Sequence, residues 1–299
     1  MKKCKTSLLQ YASQLAKQLN SNRRERAAET YMAAVKSFIK FIGATDINLG
    51  SIDKATVTSY NYFLKRNGLS ANTISFYNRN LRAIYNHAID DDLICNAAPF
   101  RRVFTGTNRT AKRAIDAASI SRIAHLDISG SPSLQFAADL FLFSFYTQGM
   151  AFVDIAKLQH SNIHDGYLVY NRSKTGQQIA IRLEACMWHI IKKYHNHSNP
   201  HIFPIIRGID PRREYLNASH NINRNLKRIG EILEFDKPLT FYVARHSWAS
   251  IAHMQQIPVP TISRALGHNS ESTTRIYLAT LDNSAVDNAN KKVIEALSY

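Results

Sequence analysis

Cysteine is scarce in this chain of 299 residues: Cys4, Cys95 and Cys186 are far apart and form no C-x-x-C pair. That gives neither a disulfide framework nor a thiolate zinc site, and it fits a reducing cytoplasm. Long apolar runs are also missing. The most apolar stretch, Leu140 to Tyr146, is far short of the roughly 18 residues of a membrane span, so no membrane partner is expected. After the basic start Met1-Lys2-Lys3-Cys4-Lys5, residues Thr6 to Leu19 are broken by Gln, Ser and Lys where a signal peptide is apolar, so secretion is not expected either. Acidic residues are few, 22 against 38 Lys and Arg, for a net charge of +16. On a chain that is 45% hydrophobic and therefore able to fold, such an excess points to a polyanion, with nucleic acid as the first suspect. A cytoplasmic, nucleoid-associated protein is the expectation.

The positive charge is uneven. Residues 1–110 hold 17 Lys and Arg against 7 Asp and Glu, a net +10, while 111–299 hold 21 against 15. The basic part reads as helical throughout. Leu8, Ala12, Leu15, Leu19 and then Tyr31, Val35, Phe38, Ile42 recur at helical spacing. A third helix around Val57, Tyr60 and Leu64 stops at Asn67-Gly68. Ser70 to Asn72 caps a fourth, with an inward stripe of Ile74, Tyr77, Leu81, Ile84 and Ala88. Off that stripe stand Arg79, Asn80 and Arg82. With Arg101 and Arg102 further on, these arginines are candidates to contact DNA, because backbone phosphates are met by cations on one face. The expected organisation is a helical domain over 1–104, a basic linker over 105–112 and a second domain over 113–299.

The second domain reads as mixed. Helices are expected at Ser119 to His125, Ser133 to Tyr146, Ala185 to Tyr194, Asn221 to Leu233, Phe241 to Gln255, Thr261 to Leu266 and Ser272 to Thr280. Gly166 to Arg172 and Gln177 to Leu183 are β-rich runs joined by Ser173-Lys174-Thr175-Gly176, a hairpin signal. The fold class is mainly α with a small antiparallel sheet. A tail over Asp282 to Ser298, with Val286, Val293, Ile294 and Leu297 on one stripe, reads as a last helix.

Four features of this part fall in an ordered series: Lys174 in the hairpin turn, Arg245-His246 in Tyr242-Val-Ala-Arg-His-Ser-Trp-Ala, Leu266-Gly267-His268, and Tyr277 in Thr-Thr-Arg-Ile-Tyr-Leu. His268 follows Arg245 by 23 residues and precedes Tyr277 by nine. The order and spacing resemble the signature of the tyrosine recombinases, the phage-integrase family, across essentially the whole chain. The resemblance implies a SAM-like helical core-binding domain that clamps DNA opposite a catalytic domain. In it, Ser70 to Thr73 and Asn96-Ala-Ala-Pro99-Phe100 correspond to the family's S-x-x-T start and closing segment. It implies a site-specific recombinase, an integrase or invertase of the kind carried by mobile elements, that cleaves and rejoins strands through a 3′-phosphotyrosyl intermediate. Double-stranded DNA and a homotetramer on paired sites are the implied partners, with no cofactor and no metal. Accessory DNA-bending proteins are left open, and the tail is implied to dock on a neighbouring protomer.

Chemistry asks for the same residue types. A phosphodiester repels nucleophiles, so cationic or hydrogen-bonding groups must neutralise its non-bridging oxygens as charge builds. Arg245 suits this as a planar fork, and His268 can donate to the same phosphate. A tyrosine hydroxyl ionises near pH 10 and needs help to lose its proton before it attacks, which is the role for Tyr277. The departing 5′ oxygen needs a proton, which the ammonium of Lys174 can deliver.

Two positions depart from the family pattern. The histidine usual three residues before the second arginine is Tyr242 here, a poor base at neutral pH. The first arginine, expected in a T-G-L-R-like turn, is replaced within Thr147-Gln148-Gly149-Met150-Ala151 by Ala151. Gln148, one helical turn earlier, is expected to present an uncharged amide to the same point. Arg172, Arg264 or Arg275 could supply the missing charge. The alternative reading is a DNA-binding relic or regulator with impaired cleavage; a tyrosine-type topoisomerase and a non-enzymatic basic scaffold are weaker rivals. His189, His195, His197 and His201 read as solvated surface without a metal, Trp188 and Trp248 as core, and Asp154 as a structural hydrogen-bonding group.

Overall fold

The computed structural model describes residues 6–22, 24–108, 114–196, 198–279 and 294–295, and the side chains of 276, 277 and 279 fall outside that description. The chain divides into two compact units, Met1–Arg109 and Thr110–Tyr299.

The first unit is built from α1 (Leu8–Ser21), α2 (Glu25–Ile42), α3 (Lys54–Arg66) and α4 (Ala71–Asp90). Each start has a cause in the sequence. Ser7, Asp53 and Ser70 stand at N-caps, and their side-chain oxygens accept from the backbone N–H groups of Gln10, Thr56 and Thr73. Helix α2 ends at Gly43, whose φ of 73° is the left-handed cap that glycine adopts without strain. The inward faces close on an aromatic centre where Phe38 meets Tyr60 edge-on at 4.9 Å, and the buried Tyr60 hydroxyl donates to Ser37. The Tyr11 hydroxyl donates to Asp91, which ties α1 to the end of α4.

Residues 96–108 pack on this unit. Phe100 is buried in its core. Ser75 donates to the Gly106 carbonyl, Asn78 to that of Phe104, and Asn72 exchanges two hydrogen bonds with the Asn108 backbone. The stretch read from sequence as the start of a basic linker at 105 is thus held against α4 as far as Asn108. Small polar side chains of α4, Asn72, Ser75 and Asn78, make that attachment.

The second unit holds α5 (Ala117–Ala124), α6 (Pro132–Tyr146), the single turn α7 (Phe152–Ile155), a sheet of β1 (Ile163–His164), β2 (Tyr167–Asn171) and β3 (Gln178–Arg182), then α8 (Ala185–Tyr194), α9 (Pro211–Ile232), α10 (Phe241–Met254), α11 (Val259–Ala265) and α12 (Glu271–Ala279). Helix α6 is apolar nearly all round because it packs against α5, α8, α9 and α10. The sheet is antiparallel in the order β1-β2-β3, with Leu168 opposite Ile181 and Tyr170 opposite Ile179, all four facing the core. A smaller apolar cluster of Ala249, Ala252, Ile262, Leu266 and Leu278 joins α10, α11 and α12.

Three elements differ from the sequence reading. Helix α9 begins ten residues earlier than Asn221, at Pro211, where Asp210 accepts from Arg213 N–H. Its fully buried residues, from Ile222 to Gly230, all lie in the second half, while Tyr215 and Ala218 in the first half pack on the same core only in part, among charged and polar neighbours. The two-residue strand β1 and the single turn α7 are too short to carry a period at all. Trp188 and Trp248 are partly buried, packed at the edge of their clusters. The tail helix expected over 282–298 lies outside the described residues apart from 294–295, which are helical.

Candidate active site

The site is assembled around one glycine. Gly267, with φ of 61°, follows the end of α11, and its carbonyl and that of Leu266 are the acceptors on which the arginines converge. Arg245 lies on α10, only 5% exposed. Its Nη1 donates to the Gly149 carbonyl at 2.9 Å, and its Nη2 donates to the Leu266 carbonyl at 2.5 Å and approaches His268 Nε2 at 3.2 Å. Arg172, just past the end of β2 and 7% exposed, donates from Nη1 to the Gly267 carbonyl at 2.5 Å. A Cβ on Gly267 would stand 2.8 Å from Ile179 and 3.0 Å from Arg172; one on Gly149, where φ is 73°, would stand 2.7 Å from the Arg245 Cα. Both positions favour glycine for backbone conformation, and Gly149 requires it for space as well, because the clash there is with backbone.

The hairpin is pinned at both shoulders of Lys174. Ser173 N–H donates to the buried Asp154 carboxylate at 2.8 Å, and Thr175 Oγ1 donates to the Gly267 carbonyl at 3.3 Å. Lys174 itself is exposed in the turn between these anchors. Asp154 sits on α7, whose N-cap is Ala151, so the turn lacking the family's first arginine is fastened to the residue next to Arg172.

The surroundings of His268 favour the neutral imidazole near pH 7. Burial, reinforced by Arg245, Arg172 and Lys174, pushes it down to about 4. Its Nδ1 lies 2.8 Å from Thr274 Oγ1, a fully buried hydroxyl on α12.

The expected residues fall into three groups. Arg245, His268 and the Lys174 turn come together, and Arg172 joins them. Arg264 is exposed on α11, and exposed Arg275 pairs with Glu271 at 3.4 Å, so neither shares the buried cluster. Tyr242 stands apart: it is 52% exposed on α10 and its ring packs against His246 at 4.4 Å. The helical-turn geometry assumed for Gln148 is overturned. Helix α6 ends at Tyr146, and residues 147–151 form a tight turn in which Gly149 and Met150 donate to the Ser144 carbonyl and Gln148 has φ of 61°. Tyr277 belongs to the backbone of α12, while its side chain lies outside the described residues.

On the first unit Arg79, Arg82, Arg101 and Arg102 are all exposed. Arg82 and Arg101 line one cleft together with Asn86 and Asn96, and Arg82 donates to Thr105. Arg79 and Arg102 are not among its walls. Among the described residues no group of three or more His, Cys, Asp or Glu is placed to hold a metal ion, and no helix is long and apolar enough to cross a membrane.

What sequence reasoning missed is the scaffolding: Thr274, the Gly149 and Gly267 contacts, and the choice of Arg172 among three arginines. Thr274 stands in Thr-Thr-Arg-Ile-Tyr three residues before the tyrosine. That spacing was the available signal.

Residues 7–103 match the phage integrase SAM-like domain, and residues 114–284 match the phage integrase family. A Pseudomonas aeruginosa protein provisionally named tyrosine recombinase XerC is 30% identical over 101 residues, 33% of this chain, which spans only 23% of that relative's length. The lambda integrase dimer bound to a COC′ core site superposes with a TM-score of 0.67 at 23% identity, covering 91% of this chain and 77% of that one. The lambda integrase tetramer bound to a Holliday junction gives 0.68 at 21%, covering 91% and 77%. The integrase of transposon Tn1549, in complex with a circular intermediate DNA, gives 0.64 at 15%, covering 96% and 99%. At these identities the structural likeness establishes the fold.

Proposed function

The chain belongs to the phage integrase family, and from that premise we propose that it is a site-specific DNA strand transferase that cleaves and rejoins duplex DNA through a 3′-phosphotyrosyl link on Tyr277. The observation that carries this reading is the meeting of Arg245 and His268, 23 residues apart in the chain, at 3.2 Å, with Arg172 on the adjoining carbonyl.

Arg172 and Arg245 donate to main-chain carbonyls, which orient the two guanidinium groups. Of the five N–H groups on a guanidinium, the Gly267 contact of Arg172 uses one. The rest are donors for the non-bridging oxygens of a scissile phosphate. Arg172 supplies the charge that Ala151 does not. As the Tyr277 oxygen gives up its proton to solvent water and bonds to phosphorus, the bond from phosphorus to the 5′ oxygen breaks, and Lys174 gives that oxygen its proton. The phosphodiester's energy stays in the protein–DNA bond, and reversal with a new 5′ hydroxyl rejoins the strand.

Duplex DNA as substrate is supported by the first unit's +10 charge and by the Arg82–Arg101 cleft. The fold's lambda relatives are described as a dimer and a tetramer on DNA, which supports assembly on paired sites, the tail over 282–298 serving as the link between protomers. One observation favours a second reading, a DNA-binding regulator with impaired cleavage: Ala151 at the family's first-arginine position. Duplexes built from repeats flanking the gene, nicked so that the cleaved end is lost, separate the two on a denaturing gel. A covalent adduct that disappears in Tyr277→Phe supports strand transfer. Salt-dependent binding with no adduct contradicts it and selects the regulator.

A further inference from the structure

Helix α12 carries Tyr277, yet it is tied to the site through another residue. Thr274 is fully buried, and its Oγ1 lies 2.8 Å from His268 Nδ1. The other ring nitrogen, Nε2, lies 3.2 Å from Arg245 Nη2. A guanidinium has donors and no acceptor, so Nε2 must present its lone pair, and a neutral ring with its lone pair there carries its proton on Nδ1. That proton goes to the Thr274 hydroxyl oxygen. We infer that Thr274 is a positioning residue: it fixes His268 in the Nδ1–H tautomer and, through the same bond, sets the register of the helix that bears the attacking tyrosine. The inference rests on the strand-transfer reading for its meaning in the reaction, though not for the tautomer itself.

The contact does what apolar packing cannot. Leu278, four residues on along the same helix face, is buried among α10, α11 and α12 and holds the helix down. Such packing is non-directional and tolerates sliding by fractions of a turn. A hydrogen bond from a ring to a β-branched side chain with restricted χ1 does not. Tyr277 follows Thr274 by three residues, a rise of about 4.5 Å along the axis. Fixing Thr274 therefore sets the axial position and rotation of the turn that bears the nucleophile without using any atom of Tyr277. The tautomer has a chemical consequence too. With Nε2 accepting from Arg245 and Nδ1 donating to Thr274, the neutral ring keeps no N–H for the phosphate, so the donation expected of His268 from the sequence gives way to holding Arg245 and Thr274 in place.

The test uses the full chain with ¹⁵N-labelled histidine, the His268 signal being assigned by its loss in His268→Gln. The expected spectrum of the wild-type protein near pH 7 shows His268 protonated on Nδ1. Thr274→Val, which keeps the shape and removes the acceptor, should shift the ring to the Nε2–H form or a mixture and slow adduct formation about 10- to 100-fold, the range seen when a partner that orients a histidine is lost. Thr274→Ser should restore both the tautomer and most of the rate, which a purely steric role for the side chain would not require. A wild-type ring protonated on Nε2 overturns the inference, as does Thr274→Val with the wild-type tautomer and rate. If Thr274→Val fails to fold, the wild-type tautomer and the Ser variant decide by the same criteria. Absence of adduct from the wild-type chain, by contrast, overturns the strand-transfer reading and leaves the tautomer measurement to stand alone.

Discussion

The two units carry positive charge in opposite ways. On the first unit Arg79, Arg82, Arg101 and Arg102 are exposed, Arg82 with a hydrogen bond to Thr105. On the second, Arg172 and Arg245 are 7% and 5% exposed and oriented by the carbonyls of Gly149, Leu266 and Gly267. A solvated cation is screened and adaptable, which suits affinity for any stretch of duplex. A buried one interacts strongly with charge arriving within a few ångströms and needs no reorganisation, which suits one phosphate at one moment. On the proposed function the contrast separates binding from chemistry, and it can be broken at either end.

The largest effect should come from the buried end. Arg172→Ala should slow single-turnover cleavage at saturating DNA by about 10²- to 10³-fold, the cost of removing a preorganised donor from a developing charge, while DNA affinity changes little. Arg264→Ala and Arg275→Ala should leave the rate near wild type. A comparable loss from either would place the replacement cation elsewhere.

Next in size is Gly149→Ala. The new methyl would meet the Arg245 backbone in a left-handed turn, so destabilisation of about 2–4 kcal/mol is expected, read as a lower denaturation midpoint with weakened cleavage. Gly43→Ala in the first unit has open space at Cβ and bears the conformational term alone. It should cost about 1–2 kcal/mol.

At the exposed end, Arg79→Ala and Arg101→Ala should each weaken binding about three- to tenfold at low salt and reduce the slope of log K against log salt by about one. Cleavage of bound DNA should be untouched. A rate loss at saturation would show that these residues do more than bind.

A further effect is in pH. His268 titrates near 6.5 when unfolded and about 4 when folded, so below 6.5 the unfolded chain binds the extra proton. Its contribution to stability is complete above 6.5 and is lost as pH falls toward 4. Denaturation midpoints of wild type and His268→Gln between pH 7 and 4 should show a shallower acid slope for the variant.

The helices of both units were readable wherever an apolar stripe met a capping residue, as at Ser70 to Ala88, and the hairpin was readable from alternation and Gly176. The first half of α9 was not, because among the described residues only Tyr215 and Ala218 there pack on the core, and arginines and other polar residues surround them. The candidate site was marked by order and spacing, so Arg245, His268 and the Lys174 turn could be named as residues to look for together. Their architecture could not. That Gln148 sits in a left-handed turn rather than a helix, and that Arg172 rather than Arg264 or Arg275 is buried beside Gly267, depends on backbone paths that no periodicity encodes.

The central claim is that Arg172 and Arg245 act by neutralising a phosphate's charge. It is tested most directly by single-turnover cleavage of a duplex whose scissile phosphate is replaced by an uncharged methylphosphonate. Wild type and Arg172→Ala should then react at nearly equal rates, the defect of the variant appearing only on the natural phosphate. An equal defect on both substrates would contradict the account and reduce Arg172 to a scaffold for Gly267.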